Sequence, residues 1–138
     1  MNKPSSAITI LIVEDNLVDK QIFEAMFSEY RLFNEIIWAK DGDDAMRLIR
    51  AQHPKLVLLD TLLPGKDGFE VLEEIKNDVS LDDIQVVMVS GSTDLSTVKS
   101  MAPKADAFIS KPITLECLAS IVSQIDRFAL GIIQSTLR

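Results

Sequence analysis

Residues 56–68 read LVLLDTLLPGKDG and combine a strand, a charged end and a helix start in one stretch. Residues 56–59 form a continuous aliphatic run, which is typical of a strand that is covered on both faces in a parallel sheet. Asp60 ends this run, and a carboxylate at the end of an apolar strand is costly unless it is paired or functional. Asp67 stands just ahead of the helical spacing that begins at Phe69 and is a suitable cap for its free backbone N–H groups. We therefore predict a strand–helix unit with a functional acid between its two elements.

The rest of the chain repeats this alternation of short apolar runs and stretches with helical spacing. Five strand–helix units of this kind predict a doubly wound α/β domain, with a five-stranded parallel sheet and five helices on its two faces. The predicted strands are residues 8–13, 36–39, 56–59, 84–89 and 107–109. Five sets of apolar residues have the helical spacing, and the fourth set is the weakest pattern. The sets are Val18, Ile22 and Met26; Ala45, Leu48 and Ile49; Phe69, Leu72 and Ile75; Leu95, Val98 and Met101; and Leu118, Ile121, Val122 and Ile125. The proposed N-terminal caps are Asn16, Asp67, Asp94 and Thr114.

Length, composition and charge restrict the class of protein. The 138 residues suit one domain, to which we assign residues 1–128, with residues 129–138 as a C-terminal tail. Fourteen basic and 21 acidic residues give a net charge of −7 without a basic cluster, so direct binding of nucleic acid is not expected. A single cysteine, Cys117, excludes an internal disulfide. The apolar residues 7–13 are too few to span a membrane and end at Glu14, so we expect a soluble, cytoplasmic protein without membrane insertion.

Polar residues end four of the five predicted strands. Ligands of an open parallel sheet bind beyond the carboxyl ends of its strands, so we expect these side chains to converge at one edge. Three neighbouring carboxylates cannot all stay ionised unless positive charge lies among them. Lys111 supplies one positive charge and a divalent cation supplies two, and oxygen ligands without nearby His or Cys favour Mg²⁺, which commonly bridges to phosphate. The sequence therefore predicts a metal-assisted phosphoryl site built from Glu14, Asp15, Asp60, Ser90 and Lys111.

These motifs closely resemble the receiver domain of two-component response regulators. The resemblance rests on Glu14-Asp15, residues 56–68, Ser90 and Lys111-Pro112, which occur in the family's order and spacing. It extends from the first strand to the last helix and implies a flavodoxin-like fold with strand order 2-1-3-4-5. It also implies a phosphoacceptor switch similar to chemotaxis regulators. These residues carry no attached DNA-binding or enzymatic unit, so we expect either a stand-alone switch or a fragment of a longer regulator. A sensor histidine kinase or histidine phosphotransfer protein would donate the phosphoryl group, and the surface of the fourth helix, fifth strand and fifth helix would then bind a downstream protein.

The resemblance implies a role for each residue of the site. Asp60 is expected to be the phosphoacceptor, attacking a phosphohistidine of the donor to form an acyl phosphate. Lys111 and the cation are expected to neutralise the charge on the phosphoryl oxygens. The expected Mg²⁺ ligands are Glu14, Asp15, Asp60 and the backbone carbonyl of Leu62.

The resemblance also implies a conformational switch. Ser90 is expected to hydrogen-bond a phosphoryl oxygen, and Phe108 is expected to turn inward when that hydroxyl group moves. Leu62 and Ser92 lie where polar groups of the family orient the water that hydrolyses the acyl phosphate. We expect the apolar side chain of Leu62 to slow that hydrolysis.

Two further functions stay open from the sequence. A degenerate receiver domain would act as a protein interaction module without phosphorylation, although the intact acid set argues against it. A haloacid-dehalogenase-like phosphatase also uses an aspartate nucleophile at a strand end, but it needs a second aspartate two residues later, where this chain has Leu62. In the leading interpretation the chemistry is limited to self-phosphotransfer and slow autodephosphorylation, which is not conventional enzymatic turnover.

The last helix and the tail carry more apolar residues than one sheet-facing helix can cover, and uncovered apolar area often marks an interface. We expect homodimer formation or partner docking through this region. The residues concerned are Ile121, Ile125, Phe128, Ile132 and Ile133.

Overall fold

Five parallel strands form one sheet in the computed structural model, which describes residues 8–29, 34–91 and 95–117. The strands are β1 (Ile8–Val13), β2 (Asn34–Ala39), β3 (Leu56–Asp60), β4 (Gln85–Ser90) and β5 (Ala107–Ser110). The helices are α1 (Leu17–Glu29), α2 (Gly42–Gln52), α3 (Gly68–Lys76) and α4 (Leu95–Met101), and a 3₁₀ turn spans Val79–Leu81. The sheet order is β2-β1-β3-β4-β5, which confirms the predicted flavodoxin-like architecture. A helical turn begins at Leu115, and the remainder of the predicted fifth helix lies outside the described residues.

The register of the sheet brings the strand ends to a common edge. Val13, the last residue of β1, lies opposite Leu59 of β3. Ser90, the last residue of β4, lies opposite Ser110, the last residue of β5. Because all pairs are parallel, the residues that follow these strands leave the sheet on the same side. This edge is where the sequence places the predicted site.

Two hydrophobic layers cover the sheet, one on each face. On one face, Phe23 of α1 and the partly buried Cys117 pack against the strands. On the other face, Ile49 of α2 and Ile75 of α3 lie in a second cluster. Every residue of β3 is buried, as expected for a central strand between two helical layers. Full burial of each large aliphatic side chain contributes about 1.5–3 kcal/mol, so the central strands are the rigid base for the polar edge.

The start of α3 is fixed closely against the end of β3. The Asp67 side chain accepts a hydrogen bond from the N–H of Glu70 at 2.9 Å, and the Glu70 side chain accepts one from the N–H of Asp67 at 3.4 Å. This reciprocal arrangement is a capping box, which satisfies two backbone donors of the helix. A Cβ atom on Gly68 would lie 2.2 Å from the backbone oxygen of Asp60. Glycine is therefore required where α3 packs over the end of β3.

The observed boundaries differ from the predicted ones by one or two residues at several ends. β2 starts two residues earlier than predicted, and β3 continues through the polar residue Asp60. The backbone ladder extends beyond the apolar runs because its hydrogen bonds need no apolar side chain. The α4 helix has only seven residues, in line with the weak pattern around Val98. The predicted cap Asp94 lies outside the described residues.

Candidate functional site

Three carboxylates from two strand ends lie together at the carboxyl edge of the sheet. Glu14 and Asp15 follow β1, and Asp60 ends β3. One oxygen from each residue lies within 4.8 Å of the oxygens of the other two. Glu14 and Asp60 are buried, whereas Asp15 is exposed to solvent. The structure thus brings together three residues that are up to 46 positions apart in the sequence.

The ammonium group of Lys111 lies among these carboxylates. Lys111 Nζ donates hydrogen bonds to Asp60 Oδ2 and Asp19 Oδ2, each at 2.8 Å. It also lies 3.1 Å from Glu14 Oε1, within ion-pair distance. The backbone N–H of Lys111 donates to the carbonyl of Ser90 at 2.8 Å, which ties this residue to the end of β4. The position of the ammonium group is therefore determined by both the backbone and the side-chain contacts.

Both carboxylate oxygens of Asp60 have hydrogen-bond donors. Asp60 Oδ1 accepts from the backbone N–H of Leu62 at 2.9 Å, and Oδ2 accepts from Lys111 Nζ. The N–H of Thr61 donates to the carbonyl of Val89 at 3.0 Å, which extends the β3–β4 ladder past Asp60. Asp60 is thus held in one orientation by backbone on one side and by an ammonium group on the other.

The carboxyl group of Glu14 has a strongly shifted pKa. Burial, and next the negative charge of Asp60, raise the pKa of Glu14 from 4.5 to about 7. The nearby Lys111 ammonium group, and next the N–H of Asn16, which donates to Glu14 Oε2 at 3.1 Å, partly offset this shift. Glu14 Oε1 is buried and accepts no hydrogen bond from the described residues, although Lys111 Nζ is near. A buried oxygen without a donor is the ligand that a cation would satisfy.

The charges of the site do not balance. Burial alone would lower the pKa of Lys111, but its contacts with Asp19, Asp60 and Glu14 outweigh burial and raise it. Lys111 therefore stays positively charged, yet it is shared between those three carboxylates, with Asp15 beside them. This excess of negative charge, together with the donor-free oxygen of Glu14, fits a divalent cation held by hard oxygen ligands.

The predicted switch residues lie beside this edge. Ser90 ends β4 and is buried, with Ser110 opposite it on β5. Phe108 is partly buried and packs against the hydrophobic layer that contains α3. Lys99 Nζ of α4 lies 5.9 Å from the centre of the Phe108 ring. The ring thus lies between the core and the surface of α4, while Ser92 lies outside the described residues.

Sequence reasoning missed Asp19 as a member of the site. Asp19 lies in the first turn of α1, where an acid is usually explained as a complement to the helix dipole. Its side chain instead accepts a hydrogen bond from Lys111, 92 positions away in the chain. The sequence does contain one indication of this contact. Asp19 follows Asp15 by about one helical turn and lies on α1, the helix that begins just after the acidic end of β1.

Comparisons with known proteins agree with this geometry. Residues 10–123 match the family model of the response regulator receiver domain. The chain belongs to this family. Response regulator Rcp1 of Synechocystis sp. is 33% identical over 129 residues, covering 88% of this chain and 88% of Rcp1. Some curated relatives are longer: this receiver chain spans 42% of the probable transcriptional regulator ycf27 of Cyanophora paradoxa.

Solved structures support the same assignment. The phosphorylated cyanobacterial phytochrome response regulator RcpA superposes with a TM-score of 0.74 at 34% identity, over 91% of this receiver domain and 95% of RcpA. The Mn²⁺-bound form of Rcp1 superposes with a TM-score of 0.70 at 32% identity, over 89% of this chain and 94% of Rcp1. Together with the acidic cluster, these neighbours support a divalent metal site in this receiver domain.

The remaining predictions from the sequence concern membrane insertion and the C-terminal part of the chain. No helix among the described residues is long and apolar enough to cross a membrane. The apolar residues of the predicted fifth helix beyond Cys117 and residues 129–138 lie outside the described part of the chain. Self-association through the last helix and tail therefore stays a prediction.

Proposed function

We propose that this receiver domain takes a phosphoryl group onto Asp60 from a phosphohistidine of a sensor histidine kinase or histidine phosphotransfer protein, with Mg²⁺ as cofactor. The observation that supports this most strongly is the environment of Asp60. It is a buried carboxylate at a strand end, 2.8 Å from Lys111 Nζ, and its oxygens lie close to those of Glu14 and Asp15.

The transfer requires little covalent work from the protein. A carboxylate oxygen of Asp60 bonds to phosphorus while the P–N bond of the donor breaks and its electron pair stays on the imidazole nitrogen. Catalysis then consists of positioning and of neutralising the negative charge on the phosphoryl oxygens. Lys111 supplies one positive charge, and a cation held by Glu14, Asp15 and Asp60 would supply the rest.

Exposed apolar side chains around the site support a protein donor. Leu17, Val18 and Leu62 are 64%, 63% and 76% exposed, and they lie on the loop–helix segments that carry the acids. Large apolar side chains on a rim are suited to contact with a partner helix or sheet surface. We propose that this rim, Leu17, Val18 and Leu62, receives the donor. RcpA is by name a phytochrome response regulator, so a phytochrome-type histidine kinase is the first donor to test.

Val18→Asp tests the rim. This variant is expected to slow transfer from a phosphorylated phytochrome-type kinase about tenfold or more, because a charge replaces an apolar contact. The rate with a small phosphodonor should not change, since that molecule does not need the rim. Equal slowing with both donors would reject the docking role, and Glu24→Gln on the same helix is the control.

We further propose that phosphorylation changes the surface around α4 and β5 and that this surface binds a downstream protein. The position of Phe108 between the core and Lys99 supports this output surface. The net charge of −7 supports a protein target rather than nucleic acid, and a cytoplasmic location follows from the proposed donor. Amide chemical shifts that stay unchanged in α4 and β5 after phosphorylation would contradict the output surface.

The decisive experiment is phosphorylation with a small donor. The wild-type chain is incubated with acetyl phosphate and Mg²⁺, and its intact mass is measured. We expect one added phosphoryl group in the wild type and none in Asp60→Asn. Asp83→Asn, at the opposite edge of the sheet, is the control and should be modified like the wild type. An unmodified wild-type chain, or modification that persists in Asp60→Asn, would reject Asp60 as the phosphoacceptor.

A further inference from the structure

Asp19 is the side chain of the site that the proposed chemistry leaves without a role. Its Oδ2 accepts a hydrogen bond from Lys111 Nζ at 2.8 Å, the same distance as the bond from Lys111 to Asp60. The candidate cation ligands are Glu14, Asp15 and Asp60. The Asp19 carboxylate is instead committed to the ammonium group.

The backbone of Asp19 is held independently of this contact. The N–H of Asp19 donates to the side-chain oxygen of Asn16 at 3.0 Å, which caps the first turn of α1. The side chain of Asp19 is only 25% exposed, and that of Lys111 only 21%. The Asp19 carboxylate therefore has a fixed position from which to hold a long, flexible lysine side chain.

The Lys111 ammonium group has three N–H donors. Two of them donate to Asp60 and Asp19, and the group also lies within ion-pair distance of Glu14 Oε1, at 3.1 Å. A lysine has four rotatable side-chain bonds, so an ammonium group held only by Asp60 would lose its anchor when that carboxylate becomes an acyl phosphate. Asp19 is the neighbouring carboxylate that neither accepts the phosphoryl group nor belongs to the candidate cation ligands.

We propose that Asp19 is a positioning residue of the phosphotransfer reaction: it holds the Lys111 ammonium beside Asp60 so that this charge is already in place when the phosphoryl group arrives. The inference rests on the proposed function, since it assigns a role within that reaction. Positioning of a charged group before reaction removes the cost of ordering it in the transition state. Asp19 acts only through Lys111 and does not touch the phosphoryl group.

Asp19→Asn tests this role, because it keeps the size of the side chain and removes the charge. At saturating Mg²⁺ and acetyl phosphate, we expect the phosphorylation rate to fall about tenfold, the equivalent of weakening one charge-assisted hydrogen bond. The Mg²⁺ dissociation constant, measured by calorimetry, should change less than threefold. Glu24→Gln removes a charge from the same helix and should leave the rate unchanged, and Asp19→Glu should recover part of it.

A double-mutant cycle separates positioning from a general effect on the fold. Lys111→Met is expected to slow the reaction by itself, and adding Asp19→Asn to it should cause no further slowing, because the group that Asp19 holds is gone. An Asp19→Asn rate equal to wild type, slowing that adds fully to that of Lys111→Met, or a Mg²⁺ dissociation constant raised more than tenfold would each overturn the inference.

The side-chain ammonium signal of Lys111 distinguishes this inference from the proposed function. In ¹⁵N NMR spectra of the unphosphorylated protein, we expect a Lys111 ammonium resonance protected from exchange in the wild type and lost in Asp19→Asn. If acetyl phosphate fails to modify the wild-type chain, the proposed function fails while this resonance still reports the contact. A resonance that is unaffected by Asp19→Asn would overturn the positioning role even where phosphorylation proceeds.

Discussion

The two edges of the sheet are both rich in charge, but they distribute it differently. At the amino edge, carboxylates are matched by donors: Asp106 Oδ2 accepts from Lys76 Nζ at 2.8 Å and from the N–H of Val86 at 2.7 Å. Asp83 likewise contacts His53 Nε2 at 2.7 Å. Matched charges of this kind connect the ends of helices to the starts of strands.

At the carboxyl edge, the same kinds of residue are left out of balance. Lys111 is shared between Asp19, Asp60 and Glu14, and one Glu14 oxygen has no hydrogen-bond donor among the described residues. The amino edge therefore uses its charges to join helices to strands, whereas the carboxyl edge keeps an excess of negative charge that a divalent cation can balance. Charge balance, rather than charge content, therefore distinguishes the edge that carries the candidate site.

The largest expected difference between the edges concerns cation affinity. Asp15→Asn removes one candidate ligand, and we expect it to raise the Mg²⁺ dissociation constant about 100-fold. This is the upper end of the loss in metal affinity that follows mutation of the groups that hold a metal's ligands in place. Asp83→Asn at the amino edge should change it less than twofold. Isothermal titration calorimetry in a chelator-washed sample measures both values, and equal effects of the two variants would contradict the contrast.

Most of the fold could be predicted because it depends on local patterns. Continuous aliphatic runs predict buried parallel strands, and residues 56–60 show that run together with its acidic end. The convergence of Glu14, Asp60 and Lys111 also follows from the sequence, since parallel strands end at one edge. These predictions depend only on the order of the strands and helices along the chain.

The details that could not be predicted depend on tertiary distances. The contact of Asp19 with Lys111 requires the rotation of α1 about its axis, which is set by the packing of Phe23 against the sheet. The high pKa of Glu14 requires its burial, which no local pattern shows at a strand end. The strand boundaries also extend beyond the apolar runs because backbone pairing continues through polar residues such as Asp60.

We expect a smaller difference between the two edges in how the stability of the protein depends on pH when divalent cations are absent. The pKa of Glu14 is raised from 4.5 to about 7, so the folded state binds this proton more tightly than the unfolded state. This contribution to stability is fully present below pH 4.5 and is lost as the pH rises through 7. In the presence of a chelator, we therefore expect the melting temperature to fall by a few degrees between pH 5.5 and pH 8.

Two variants, one at each edge of the sheet, should respond differently to pH in this melting experiment. In Glu14→Gln the decrease between pH 5.5 and pH 8 should be largely absent, and the melting temperature at pH 8 should be above that of the wild type. Asp106→Ala at the amino edge should instead lose about 2 kcal/mol at both pH values, because the buried N–H of Val86 loses its acceptor. If Glu14→Gln keeps the same pH dependence of the melting temperature as the wild type, then that dependence comes from another titratable group.

The smallest expected effect concerns the lifetime of the acyl phosphate. The Leu62 side chain is exposed beside Asp60, and the N–H of Leu62 donates to Asp60 Oδ1 at 2.9 Å. An apolar side chain there offers no hydrogen bond to an attacking water, so Leu62→Asn should speed the loss of phosphate about threefold by orienting that water. Leu62→Ala is the matched control, because it removes the apolar bulk without adding a polar group. Loss of phosphate is followed by intact mass after removal of the donor. Equal rates in the asparagine and alanine variants would show that side-chain size, rather than water orientation, controls hydrolysis at this edge.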